Sequence, residues 1–146
     1  MTRSRHLYFI IPLLWFLDTF LLGIFQQPTV STLLCLYAVL LVRPVSARVL
    51  LFSLLFLSIE SLLVHDSLAF SLIYLLPLSI LVLEIKELVT HDTWLAYAFG
   101  ITCMLLLTIA SPLWMGQMLQ SPIFIFFRIC ATIGVILIFE KFLITR

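Results

Sequence analysis

Charge and glycine are what this chain has least of. Its 146 residues include eight lysines and arginines, seven aspartates and glutamates, and four glycines. Charged residues are 10% of the whole, against about 25% in an ordinary soluble domain. So little charge beside 64% hydrophobic residues excludes a soluble domain of this size, because a small fold exposes too large a share of its surface. Four glycines and six prolines exclude collagen-like and low-complexity chains. Three cysteines, Cys35, Cys103 and Cys130, all inside apolar runs, do not make a disulfide framework and read as small core residues. Glycine-rich phosphate loops, zinc-ligand spacings and Ser/His/Asp sets are missing from the sequence. It therefore reads as non-enzymatic, with no catalytic, cofactor-binding or metal residue, and no nucleic-acid partner is expected of its scattered basic residues.

What fills the chain is leucine, isoleucine and phenylalanine in long runs, so the expected solvent is a lipid bilayer. The N-terminal "MTRSRHLYFIIPLLWFLDTFLLG" has the basic start of a secretory signal. Its apolar run is longer than the roughly 7–15 residues of a signal core and no small-residue cleavage site follows, so it reads as an uncleaved first transmembrane helix. About 20 residues span the roughly 30 Å of hydrocarbon, and six runs reach or approach that length: 7–25, 29–42, 47–64, 68–83, 94–111 and 122–139. The expected fold is all-α, a polytopic transmembrane bundle of about six helices forming one integral membrane domain over 1–146. The second run is short and must thin the bilayer, borrow flanking residues or fail to span; five spans are the alternative. With Arg3 and Arg5 inside, six spans put Arg43, Arg48, Lys86, Lys141 and Arg146 on the cytoplasmic side as well. The outer loops "QQPT", "HDS" and "MGQMLQS" then hold no lysine or arginine, which is the positive-inside pattern. Trp94 and Trp114 bracket the fifth run about 30 Å apart, as interfacial indoles do. Pro12 and Pro77 should kink the first and fourth helices.

Within that topology Asp18, Glu60 and Arg128 fall in the outer half of the membrane at similar depth. A charge at a helix centre costs about 2.5–3.5 kcal/mol on insertion scales, and pairing relieves it. A cluster of Arg128 with Glu60, Asp18 or both is expected, acting as a structural ion pair or as a partner-docking or substrate-contacting group. Snorkelling or neutral carboxyls would remove the need for it. The "VHDS" and "THDT" pairs, His65–Asp66 and His91–Asp92, lie on opposite sides of the bilayer and read as helix boundaries with capping aspartates. "LEIKELVTHD" reads as an amphipathic extension of the fourth helix. Glu84, Lys86 and Glu87 there, with Arg43 and Arg48, are cytoplasmic docking candidates or a solvated helix end. Thr19 and Gly23 have the small-residue spacing that lets helices approach closely.

The stretch "LLCLYAVLLVRPVSARVLLFSLLFLSIESLLVHDSLAFSLIYLLPLSILV" resembles the MreD family of bacterial rod-shape-determining membrane proteins. Tyr37, Arg43, Pro44 and Arg48 match its apolar helix with a tyrosine, then a proline and basic residues. Glu60 with Leu62 and Leu63 stands where the family usually has an aspartate, and His65–Leu68 stands at the following turn. Ser53, Ser58 and Ser67 occupy a neighbourhood where the family tends to have glycines. The resemblance covers about a third of the chain. It implies a non-enzymatic scaffold of the cell-elongation machinery in the bacterial inner membrane, both termini cytoplasmic. MreC-like and MreB-like proteins and peptidoglycan synthases would be its partners, and Glu60 part of its acidic position. The MreD fold is thought similar to the six-helix substrate-binding subunits of energy-coupling-factor transporters. A vitamin-type transporter subunit is accordingly the alternative. A four-helix multidrug exporter built on Asp18 ranks below both.

Overall fold

The computed structural model describes residues 2–25, 31–43, 45–65, 70–88, 93–106, 109 and 121–144, and among these the regular structure is entirely helical. The first helix, α1, runs from Thr2 to Phe25 and continues through Pro12, although proline leaves the Tyr8 carbonyl without its usual donor. The second, α2, covers Thr32–Val42. Its start is set by Ser31, whose backbone is extended and whose Oγ accepts the Leu34 N–H at 3.2 Å. Its end is set by Arg43, also extended, because a residue preceding a proline is driven out of the helical region. The third helix, α3, spans Ala47–His65, with the Ser46 carbonyl accepting from Val49 and Leu50.

The fourth helix, α4, opens with a π-helical turn over Phe70–Leu75 and continues as an ordinary α-helix over Leu76–Leu88. The change falls just before Pro77, which can neither donate to the carbonyl one turn earlier nor let it approach closely, so the wider turn accommodates the ring. The fifth, α5, covers Thr93–Leu105. The sixth, α6, covers Pro122–Ile144. Ser121 caps it by accepting the Phe124 N–H, and Pro122 fits the first helical position, where no N–H is needed.

Several helices differ in length from the apolar runs. α1 begins at Thr2 rather than 7, α4 reaches Leu88 rather than 83, and α6 reaches Ile144 rather than 139. In each case a helix continues past the apolar segment into polar flanks. The second run, expected from 29, is helical only from Thr32.

α2 is the hub. It packs against α1, α3, α4, α5 and α6, while around it α1 packs on α3, α3 on the π-helical turn of α4, α4 on α5, and α5 on α6. Every residue from Leu33 to Val42 is buried. A helix that is apolar all the way round has no face to turn to water, and α2 turns none. α6 is also rich in apolar residues but far more exposed: Ile123, Phe126, Phe127 and Ile138 are each more than 60% exposed. Within it, Pro122–Phe142 is long and apolar enough to cross a membrane, whereas Thr32–Val42 and Trp94–Leu105 are apolar but shorter.

Close packing of α5 on α6 requires Gly100, where an added Cβ would lie 2.6 Å from Ile136 Cδ1 and 3.7 Å from Thr132 Cγ2. Ile136 and Thr132 are fully buried, so a larger side chain has little room. Gly100→Leu is expected to cost about 1–3 kcal/mol through overpacking, seen as a lower thermal unfolding midpoint in detergent. Adding Ile136→Ala should recover part of that loss, whereas strictly additive destabilisation would contradict the contact.

A carboxylate clasp at the head of the buried helix

Burying a helix terminus creates a demand. The first four N–H groups of a helix have no partner within it, and the aligned peptide dipoles leave that end partially positive. At the head of α2 the demand is met by a neighbouring helix and by the helix's own cap residue. Asp18 of α1 accepts from the Thr32 N–H at 3.2 Å and the Thr32 hydroxyl at 2.6 Å through Oδ1, and from the Leu33 N–H at 3.0 Å through Oδ2. Ser31 accepts the Leu34 N–H and donates its own hydroxyl to Glu60 Oε1 of α3 at 3.1 Å. One short segment, 31–33, therefore ties α1, α2 and α3 together. The positive end of α2 thus has one carboxylate bonded to it directly and a second bonded to it through Ser31.

Asp18 is 8% exposed and fully engaged, whereas Glu60 uses one oxygen: its Oε2 is buried and has no hydrogen-bond partner. Among the described residues, the indole nitrogen Nε1 of Trp15 is also buried without a hydrogen-bond partner. Trp15 lies one turn before Asp18 on α1. Its backbone carbonyl accepts the Thr19 hydroxyl at 2.7 Å, so the hydroxyl of the Thr19–Gly23 spacing bonds within its own helix. Its ring meets Phe56, one turn before Glu60 on α3, edge-on at 5.8 Å.

The other intramembrane charge sought in the sequence, Arg128, is 5% exposed on α6. Its guanidinium lies 5.8 Å from the centre of the Phe124 ring, one turn earlier on the same helix, and its backbone carbonyl accepts the Thr132 hydroxyl at 2.8 Å. Asp18 and Glu60 thus converge on one helix head, and their hydrogen bonds run to Ser31, Thr32 and Leu33. Further polar ties join other helices. The Tyr37 hydroxyl of α2 donates to Ser79 of α4 at 2.9 Å, and Ser79 donates to the Leu75 carbonyl. The Tyr97 hydroxyl of α5 donates to Glu140 of α6 at 2.8 Å.

Arg48, Glu84 and Glu87 are exposed, and Arg43 and Lys86 partly so, which leaves these docking candidates open to a partner. Asp66, His91, Asp92 and Trp114 lie outside the described residues. The sequence reading passed over Ser31, Thr32 and Trp15. A signal for the first two was present: serine and threonine immediately before an apolar run mark a helix start. Trp15 gave none, because an indole within an apolar run looks like any other ring until its N–H is followed.

Neither the known protein families, nor the curated proteins, nor the solved structures contain a match to this chain.

Removing the clasp should cost more than neutralising it. Asp18→Leu leaves the Thr32 and Leu33 N–H groups buried without acceptors, each worth roughly 1–3 kcal/mol. Asp18→Asn retains one acceptor oxygen. Thermal unfolding in detergent is expected to fall in the order wild type, Asp18→Asn, Asp18→Leu. Equal midpoints for the two variants would contradict the hydrogen-bonded role.

Proposed function

We propose that this chain is a multi-pass protein of the bacterial inner membrane, both termini cytoplasmic, serving as a non-enzymatic scaffold of the cell-elongation machinery. The observation that carries the membrane part is inverted polarity. Asp18, Ser53, Ser61, Ser79, Arg128 and Thr132 are buried, while Phe9, Leu13, Phe16, Leu51, Leu55, Leu63, Phe126 and Phe127 are more than half exposed. Soluble monomers rarely expose contiguous apolar patches beyond a few hundred Å², whereas a bilayer requires such a surface.

The short second helix fits this reading. Eleven residues cover about 16 Å, half of the hydrocarbon. Its head is bonded at the level of Asp18, seven residues before the end of α1, or about 10 Å below it. Together these lengths approach the roughly 30 Å of the core, so a helix far shorter than its neighbours serves where its head starts below theirs. The alternation of cytoplasmic Arg43, Arg48 and Lys86 with outer loops lacking basic residues supports the orientation.

The scaffold role rests on the resemblance of 33–82 to the MreD family. Two residues that carry it, Tyr37 and Glu60, both make hydrogen bonds to another helix or its cap, as expected of positions that set the shape of a docking body. MreC-like and MreB-like proteins and peptidoglycan synthases are the proposed partners. Arg43, Arg48, Glu84, Lys86 and Glu87 are placed for cytoplasmic contacts.

Depletion in the native bacterium is expected to turn rods into spheres and to abolish new wall synthesis along the side wall, read by fluorescent D-amino-acid labelling. Unchanged shape, together with loss of uptake of a vitamin and co-purification of transporter ATPase subunits, would replace this reading with the transporter alternative.

A further inference from the structure

We propose that the cytoplasmic ends of α1 and α3 hold the headgroup of an anionic phospholipid through Arg5 and Arg48. The proposal rests on the membrane reading with the N-terminus cytoplasmic, and it does not need the scaffold role. α1 and α3 run side by side in the same direction: Tyr8 meets Phe52 at 5.2 Å and, further along both helices, Trp15 meets Phe56 at 5.8 Å. Arg5 lies one turn before Tyr8 and Arg48 one turn before Phe52, so the two arginines stand at the same level on adjacent helices. Both are exposed, and Arg43, which ends α2 just before α3 begins, is half-exposed. On α1 the ring residues lie between a buried side, with Leu7 and Ile11, and an exposed stripe of Arg5, Phe9 and Leu13. On α3 they lie between the buried Val49 and Ser53 and an exposed stripe of Arg48, Leu51 and Leu55. Because α2 packs on both helices, the two stripes emerge on the same outward side, each headed by an arginine.

That arrangement decides the chemistry of the occupant. Arginine takes phosphate oxygens through paired N–H groups, and the positive ends of the α1 and α3 dipoles point the same way. One and two turns above the arginines, Phe9, Leu13, Leu51 and Leu55 are each more than half exposed. A ligand that fits both levels is an anion at its head and hydrocarbon beyond it. Residues 1–17 and 43–59 contain no aspartate or glutamate, so nothing on these ends of α1 and α3 competes for the guanidinium groups. Across the bundle the charges are mixed: α4 carries Glu84, Lys86 and Glu87, and α6 carries Glu140 and Lys141. The positive-inside pattern asks for basic residues on this side of the membrane, and it does not ask that they be separated from acid on one edge. Recognition of an anionic headgroup does.

The test uses the full chain, purified in a neutral detergent and mixed with dioleoylphosphatidylglycerol, dioleoylphosphatidylcholine or inorganic phosphate, with retention read by native mass spectrometry. The expected result is that phosphatidylglycerol is retained in preference to phosphatidylcholine and is not displaced by phosphate. A basic residue at the membrane surface contributes about fivefold to such binding. Arg5→Gln combined with Arg48→Gln should therefore lower retention about tenfold or more. Lys86→Gln combined with Lys141→Gln makes the same change in net charge and should leave retention within about twofold of wild type, if the site lies where the arginines are. A phosphatidylglycerol with a photoreactive acyl chain should also label Phe9 or Leu51 of the wild type in preference to Ile138 of α6, a readout that involves no variant and so cannot reflect misfolding. Equal retention of the two lipids, equal losses in the two double variants, evenly spread labelling, or phosphate binding in place of lipid would overturn the proposal. Extraction of the chain from native membranes by alkaline carbonate would remove the membrane reading and the site with it. A chain that stays in the membrane and shows no headgroup preference would remove the site alone.

Discussion

The head of α2 leads into a helix buried from Leu33 to Val42, so its backbone amides need partners within the protein, and the rest of the bundle is arranged around that constraint. A wholly apolar helix can be buried on every side only if its polar ends are satisfied from outside. Asp18 accepts from two of these amides, Thr32 and Leu33, and from the Thr32 hydroxyl, and Ser31 accepts from a third amide, Leu34. A buried carboxylate is costly on its own, and so are buried N–H groups without partners. Placed together, each relieves the other, since an anion at a helix N-terminus meets both free donors and the positive end of the dipole. Glu60 joins the same site through Ser31, so the head of the central helix also sets the spacing of α1 and α3.

From that centre outward the molecule follows from which helix touches α2. α1, α3, α4, α5 and α6 all do, burying apolar residues such as Ile11, Val49, Leu75, Phe99 and Ile136 together with a few polar ones and leaving other large apolar residues on the exterior. Ser53, Ser79 and Thr132 are buried with hydroxyls bonded to a carbonyl of their own helix, which makes them compact interior residues with no unmet donor. Gly100 brings α5 against Ile136 of α6. The Tyr37–Ser79 and Tyr97–Glu140 hydrogen bonds then join neighbouring helices at specific heights. Apolar contact alone does not fix how helices register against one another, so these polar ties and close contacts carry the specificity of the packing.

Much of the helical architecture was legible in the sequence. Apolar runs marked every helix, Pro44 marked the end of α2, and the charges of Asp18 and Glu60 marked the polar centre. The nature of the compensation was not legible. A sequence displays side chains, so it offers Arg128 as a partner for these carboxylates and says nothing of main-chain donors. The groups that bond Asp18 include the main-chain amides of Thr32 and Leu33, which every residue carries and no letter distinguishes. The central position of α2 was hidden for a related reason, because its uniform apolarity suits burial in lipid as well as burial in protein. Its short length was the available clue. The π-helical turn before Pro77 was likewise beyond reach, since a proline announces a break in the hydrogen-bond ladder without saying how the chain absorbs it.

Amide hydrogen exchange along the chain in detergent micelles, for the wild type and for Asp18→Leu, tests the central claim most directly. Buried and capped as described, the amides of 34–42 are expected to exchange among the slowest in the wild type. Asp18→Leu should speed exchange from the head of α2 while leaving the middle of α6 protected. Rapid exchange across α2 in the wild type, or an unchanged profile in the variant, would contradict the account of a central helix held at its head by a carboxylate.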